Sequence, residues 1–220
     1  SYRNKLLLKD IFSSESLNNL FKLLTKIFFI TFITEIAGAS VIYYSLDRYF
    51  QDKLFFSFFH AISAFCNAGF STLTEGLFSP EIRYNQAVHI SVALLVILGG
   101  IGFPVLTGFY SFCKHLIIVV VNKIKRNRLP VKPEKKNLPT SIVLFMTVFL
   151  ILSGTIFYYL FESPNSMAGV ENARKIMTSF FGSVCARTAG FNMVDISLWS
   201  YPTVFLMMIL MWIGASPGST

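Results

Sequence analysis

The sequence predicts an all-α transmembrane protein built from parallel repeats of helix, pore loop and helix around a central pore, with two of an expected four units present. Three observations predict it: long stretches without charge, two short apolar runs that end in the same Ala-Gly-Phe turn, and Lys and Arg gathered on one side. Of the 220 residues, 54% are hydrophobic, 14% are charged and 24 are Phe, against about 25% charged in soluble domains. That composition argues against a soluble globular chain and against disorder, and for a membrane protein. Cys66, Cys113 and Cys185 stand far apart with no CxxC, which gives neither a disulfide framework nor a metal signature. The chain opens at Ser1 and stops at Thr220 inside an apolar stretch, so a piece of a longer protein is expected.

The spans come first. Residues 27–46 carry one charge, Glu35, and residues 84–113, 137–161 and 196–220 carry none. A helix crossing the hydrocarbon needs roughly 20 apolar residues, so each window is long enough and four spans are expected. Two shorter apolar runs, 54–65 and 176–186, lead into Cys66-Asn67-Ala68-Gly69-Phe70 and Arg187-Thr188-Ala189-Gly190-Phe191. Runs of 10–14 apolar residues fit re-entrant or buried helices better than spans. Their small, turn-forming ends suit a helix that stops inside the membrane.

Superposing the two Ala-Gly-Phe triplets sets a period of 121 residues, which also places Phe59 on Phe180. The flanks agree in kind: span, short apolar helix, Gly turn, span. The second span of each unit carries a related break, Gly99-Gly100-Ile101-Gly102 in one and Gly214-Ala215-Ser216-Pro217-Gly218 in the other. Recurrence in the same structural place is the organising signal.

Orientation follows from the cations. Arg3, Lys5, Lys9, Lys22 and Lys26 precede the first span, and eight more Lys and Arg lie within 114–136, so thirteen of the 19 share one side. By the positive-inside rule that side is cytoplasmic, in a multi-pass protein of the plasma membrane. The basic run 122–136 is read as a topological signal, with no nucleic-acid partner implied. The divisions are a cytoplasmic N-terminal segment or linker (1–26), a first membrane–pore–membrane unit (27–121), a basic cytoplasmic linker (122–139) and a second unit (140–220).

Irregular backbone at membrane depth cannot face lipid and must be buried or line a watery path. A Gly in such a turn opens torsions closed to other residues, so carbonyl oxygens can point inward and replace a cation's hydration shell. A ring of this kind needs about four loops. This chain supplies two, so further units or a second chain are expected.

The motifs SAFCNAGFS (63–71), ARTAGFN (186–192), GGIGFPVL (99–106) and IGASPGST (213–220) resemble the Trk/Ktr/HKT superfamily of potassium transporters, most closely the membrane subunit of bacterial Ktr systems. The resemblance covers the second of the family's four units and the third up to its broken last helix. It implies potassium uptake through filter carbonyls at Cys66, Asn67, Ala68, Gly69 and Phe70, and at Arg187, Thr188, Ala189, Gly190 and Phe191. Potassium would be held near Asn67, Ala68, Gly69, Thr188, Ala189 and Gly190. It also implies an intramembrane gate beginning at Gly214, Ala215, Ser216, Pro217, Gly218, Ser219 and Thr220. Pro217 removes a donor and the glycines weaken the helix there. The resemblance further implies a homodimer and a cytoplasmic ring of nucleotide-binding regulatory subunits, with no cofactor on this chain. Cys66 and Ala186 depart from the Ktr pattern, which has Asn and Pro there, and GASPGST also resembles the Trk branch. Branch and coupling ion, sodium or proton, stay open.

Other residues have plainer readings. Arg187 is read as a filter arginine, against an interfacial one snorkelling to water. Glu35 is expected to accept hydrogen bonds from a neighbouring helix or loop. His60 is expected to be packed and hydrogen-bonded, His89 and His115 to be interfacial. Tyr43, Tyr44, Tyr158, Tyr159 and Trp199 are expected in an outer aromatic belt. No catalytic residue is expected: HExxH, GxSxG and paired intramembrane acids are absent, which disfavours an enzyme. A non-coupled cation channel and a membrane scaffold without transport remain the alternatives.

Overall fold

A computed structural model of the protein describes residues 14–102, Val105 and 138–214. The basic linker, Cys113, His115 and residues 215–220 of the expected gate lie outside the described residues. Among the described residues the regular elements are helical. They are α1 (Ser14–Ser45), α2 (Lys53–Phe65), α3 (Gln86–Ile101), α4 (Leu138–Glu162), α5 (Asn172–Thr188) and α6 (Tyr201–Ile213), with 3-10 turns at Gly76–Phe78 and Ile196–Leu198.

Length separates these helices by job. The segments Leu20–Ser45 of α1 and Ser141–Glu162 of α4 are long and apolar enough to cross a membrane, whereas α3 and α6 are shorter apolar helices. Two of the four expected spans are therefore shorter than 84–113 and 196–220 as far as they are described. Helix α3 runs unbroken through Gly99 and Gly100 and ends at Gly102, whose φ of 92° is closed to other residues. Helix α6 starts only at Tyr201, with Pro202 in its first turn, and ends at Gly214 with φ 64°. At 1.5 Å per residue its thirteen residues reach about 20 Å, less than the ~30 Å hydrocarbon thickness. Helix α6 as described, up to Gly214, is therefore too short to cross the hydrocarbon.

Both units repeat one arrangement. The first span packs on its pore helix and on the second span, and the pore helix packs on the second span, in α1–α2–α3 and again in α4–α5–α6. The units meet where α3 lies against α5. Each pore helix is also tied at its start by a lysine. Lys53 Nζ donates to the Leu46 carbonyl at 2.8 Å, and Lys175 Nζ donates to the Ser163 carbonyl at 3.0 Å. Both carbonyls lie just past the end of the preceding span, where a cation complements the helix dipole.

Close approach of the helices relies on small residues, as is usual inside membranes. A Cβ on Gly154 would collide with Ser183 Oγ, which instead donates to the Ile151 carbonyl at 2.9 Å. One core runs across both units, from Ile42, Phe56 and Phe65 through Val92 and Leu95 to Phe181, Val184 and Phe191. The outward faces of α1 and α4 carry exposed Phe28, Phe29, Phe32, Phe145 and Phe149, as suits lipid.

Three placements correct the expectations. His89 is not interfacial: it is fully buried, bonded through Nδ1 to the Asn85 carbonyl at 2.8 Å and through Nε2 to the Leu77 carbonyl at 3.2 Å. Tyr158 is 1% exposed and packs edge-on against Trp199 at 6.0 Å, so it belongs to the core and not to a belt. No hydrogen bond to Glu35 is found among the described residues; it is a half-buried side chain on α1.

Glu162 was not singled out by sequence, yet it is fully buried at the end of α4. Its Oε1 accepts from the Ser200 N–H and hydroxyl, both at 2.9 Å, and its Oε2 from the Ser166 hydroxyl at 2.6 Å and N–H at 3.3 Å. It thus pins the N-cap of α6 to α4. Replacing Glu162 with Ala leaves these donors unpaired and is expected to destabilise the fold by roughly 2–4 kcal/mol. Thermal unfolding of the full-length protein in detergent measures this, and an unchanged midpoint would contradict the role.

Candidate functional site

The two pore helices deliver their C-terminal turns to one place. In the first unit α2 stops at Phe65, and Cys66 and Asn67 form the turn, with Asn67 in the left-handed region at φ 54°. In the second unit α5 continues through Arg187 and Thr188, so these two are helical rather than part of the turn, which begins at Ala189. The glycines then coincide in conformation, Gly69 at φ 71° and Gly190 at φ 73°. Such a torsion costs an L-residue roughly 1–2 kcal/mol, so Gly at both positions has a local reason that spacing alone did not supply.

The first turn is tied back to its helix. The Ala68 N–H donates to the Ser63 carbonyl at 2.8 Å, and Ser63 Oγ donates to the Phe70 carbonyl at 2.8 Å. One lone pair of the Phe70 carbonyl is therefore committed to the helix. His60 is buried as expected, bonded to the Phe56 carbonyl and, through Nε2, to Ser71 Oγ, each at 2.9 Å. The second turn is closed by the Ala189 and Gly190 N–H groups, which both donate to the Cys185 carbonyl, at 3.0 and 3.1 Å.

The two turns touch each other. A Cβ on Gly69 would collide with the Ala189 carbonyl oxygen, so only a glycine lets that carbonyl approach. Thr188 Oγ1 donates to Asn67 Oδ1 at 3.0 Å. The ring of Phe191 is buried and stacks toward His60 at 6.4 Å, whereas its repeat mate Phe70 is 69% exposed. The second unit thus sets Phe191 and the Ala189 carbonyl against the first; Gly190 has nothing within 4 Å of where its Cβ would sit.

Support for the site comes from behind. A Cβ on Gly99 would collide with the Phe65 carbonyl and lie 2.8 Å from Asn67 Nδ2. The glycine read as part of a helix break is instead a seat for the end of the first pore helix. Arg187 is half-buried, and its Nε donates to the Gly214 carbonyl at 3.1 Å, at the end of α6. A cation on the C-terminal carbonyls of a helix is favourable. Sequence reasoning missed the tie of Ser63, because hydroxyls on apolar helices usually bond back within the helix, and that of Ser71, because its partner His60 lies eleven residues back on α2. On the loop after Phe191, hydrogen bonds from the Ser197 hydroxyl and N–H hold the Asp195 carboxyl below its ordinary range. Among the described residues no cluster of three or more metal-ligating side chains occurs; the polar groups on offer at the turns are mainly backbone carbonyls.

Residues 2–220 match the family described as TrkH, cation transport protein. The chain belongs to the TrkH family. Among its relatives are the Ktr system potassium uptake protein B of Vibrio alginolyticus, 31% identical over 227 residues covering 100% of this chain and 45% of the relative, and the potassium/sodium uptake protein NtpJ of Enterococcus hirae, 29% identical over 100% of this chain and 45% of the relative. The Ktr system potassium uptake protein D of Bacillus subtilis is 32% identical over 88% of this chain and 40% of the relative. The chain thus spans about 45% of the length of the first two relatives, as expected for part of a larger repeat set. TrkH proteins are cation transporters rather than enzymes, so the chain is part of a membrane protein.

Gly69→Ala combines a left-handed torsion with a collision against the neighbouring carbonyl. In the full-length protein it is expected to lower cation uptake at least about tenfold, since ~1.4 kcal/mol of strain already suffices for that factor. Uptake equal to wild type at equal expression would contradict the close approach.

Proposed function

We propose that this chain is two of the four pore-forming units of a potassium uptake transporter, with Gly69 and Gly190 at the centre of a filter of main-chain carbonyls. The observation that carries this reading is the pair of glycine turns, matched in torsion, placed behind two pore helices and packed against each other. Carbonyl dipoles from Asn67, Ala68, Gly69, Thr188, Ala189 and Gly190 replace the hydration shell of a potassium ion, as polar backbone at membrane depth requires a polar path. Potassium uptake in the names of the relatives supports the choice of ion, and the potassium/sodium relative leaves sodium in view as a second cargo or as a coupling ion beside the proton. The broken end of α6 and the residues from Ala215 to Thr220 serve as the gate below the filter. Arg187 links the two, since its backbone lies in the last turn of the filter helix and its side chain holds the Gly214 carbonyl.

The positive-inside rule puts the N-terminus and the 122–139 linker in the cytoplasm, with the Gly turns toward the outer face of the plasma membrane. Dimerisation and a cytoplasmic nucleotide-binding ring belong to the same reading, with the basic linker on the correct side for docking. A channel without a coupled ion is the runner-up within the same class.

Rubidium flux into liposomes holding the full-length protein tests the reading. Flux is expected in the wild type and lost in the double variant Gly69→Ala, Gly190→Ala; flux that survives both changes would sink the filter. Arg187→Ala is expected to change the potassium half-saturation of uptake by about threefold or more, the scale of one charge-assisted hydrogen bond. Unchanged kinetics would remove Arg187 from the mechanism.

A further inference from the structure

Asn67 and Thr188 are 121 residues apart, so they occupy the same position in the two repeats. Equivalent residues of parallel units come together only close to the axis that relates the units. Direct contact between these two side chains therefore puts them close to that axis, two residues before the glycines. Both are accessible, Thr188 exposed and Asn67 partly so, as a water-filled path would leave them.

The contact is held from several sides. Asn67 adopts a left-handed torsion at φ 54°, which Asn tolerates better than most residues. Its Nδ2 donates to the Phe65 carbonyl at 3.3 Å, and Gly99 of α3 lets the helix backbone close over that pair. With the amide nitrogen turned toward Phe65, the amide oxygen is left facing the second unit, where Thr188 Oγ1 donates to it at 3.0 Å. One turn farther along, Gly69 receives the Ala189 carbonyl oxygen of the same neighbour. The two loops thus meet at two points, one between side chains and one between backbones, and two points fix both their separation and their tilt.

We infer that the Thr188–Asn67 hydrogen bond is a strut that sets the spacing of the filter carbonyls, and through it the discrimination between potassium and the smaller sodium ion. The inference rests on the filter reading above. Carbonyls held apart match the larger ion, and loss of the strut lets them close on the smaller one. Thr188 and Asn67 act here through the carbonyls they space and are positioning residues.

The test uses the full-length protein in liposomes, with rubidium and sodium uptake measured side by side. Thr188→Val keeps the side-chain shape and removes the hydroxyl, whereas Thr188→Ser keeps the hydroxyl. The rubidium-to-sodium ratio is expected to fall by roughly three- to tenfold in Thr188→Val, the factor one hydrogen bond supports, and to return toward wild type in Thr188→Ser. Asn67→Ala should lower the ratio alone, and the double variant Asn67→Ala, Thr188→Val no further than either single change. A wild-type ratio in Thr188→Val, or additive losses in the double variant, overturns the strut. So does a loss of both fluxes in equal proportion, which would mark a structural residue only. If Thr188→Val fails to assemble, the Ser variant with Asn67→Ala carries the same comparison. Loss of rubidium flux in the glycine double variant together with an unaltered Thr188→Val ratio rejects the strut and leaves the filter standing; flux that persists in the glycine variant rejects the filter itself.

Discussion

Backbone that leaves the helix inside a membrane has to find partners within the protein, because lipid supplies none. That constraint governs what surrounds the two glycine turns. The N–H groups of Ala68, Ala189 and Gly190 return to carbonyls of their own pore helices, and Ser63 takes one lone pair of the Phe70 carbonyl. Gly99 lets the α3 backbone close over the Phe65 carbonyl.

The same constraint explains why charged and polar side chains sit where they do. Lys53 and Lys175 hold carbonyls just past the ends of α1 and α4, and Arg187 holds the one at the end of α6. Glu162 gathers two N–H and two hydroxyl donors where α4, the following loop and the α6 N-cap converge. Every one of these groups answers an orphaned helix end. In a chain with 14% charged residues, these four charged side chains all serve helix termini. Glu35, within α1, does not.

The two units are alike in topology and unlike in detail. Helix α5 extends through Thr188 where α2 stops at Phe65, and Phe181 stands where the first unit has His60. Phe191 is buried against the first unit and Phe70 is exposed. The two units thus share a topology without sharing its chemistry, so each turn can differ on its own. The Thr188–Asn67 pair is one product of that freedom, since a strict repeat would set identical side chains against each other.

Much of this was legible in the residues themselves. Windows with at most one charge marked α1 and α4, because roughly twenty apolar residues in a row have few other uses. The 121-residue period paired Gly69 with Gly190, and both turned out left-handed. The short runs before them became pore helices with nearly the expected limits. Other features depended on neighbours distant in sequence. His89 was expected at an interface and is buried because Leu77, twelve residues away, supplies a carbonyl. Tyr158 left the aromatic belt for the core because Trp199 packs over it. Of the glycines in the expected break, Gly102 ends the helix, whereas Gly99 stays helical and serves close packing against α2. Periodicity and composition act along the chain and so fixed which segments are helices and where they turn; which polar groups meet across the units is a property of three-dimensional contact, and only the folded arrangement decided that Asn67 would find Thr188 and Arg187 would find Gly214.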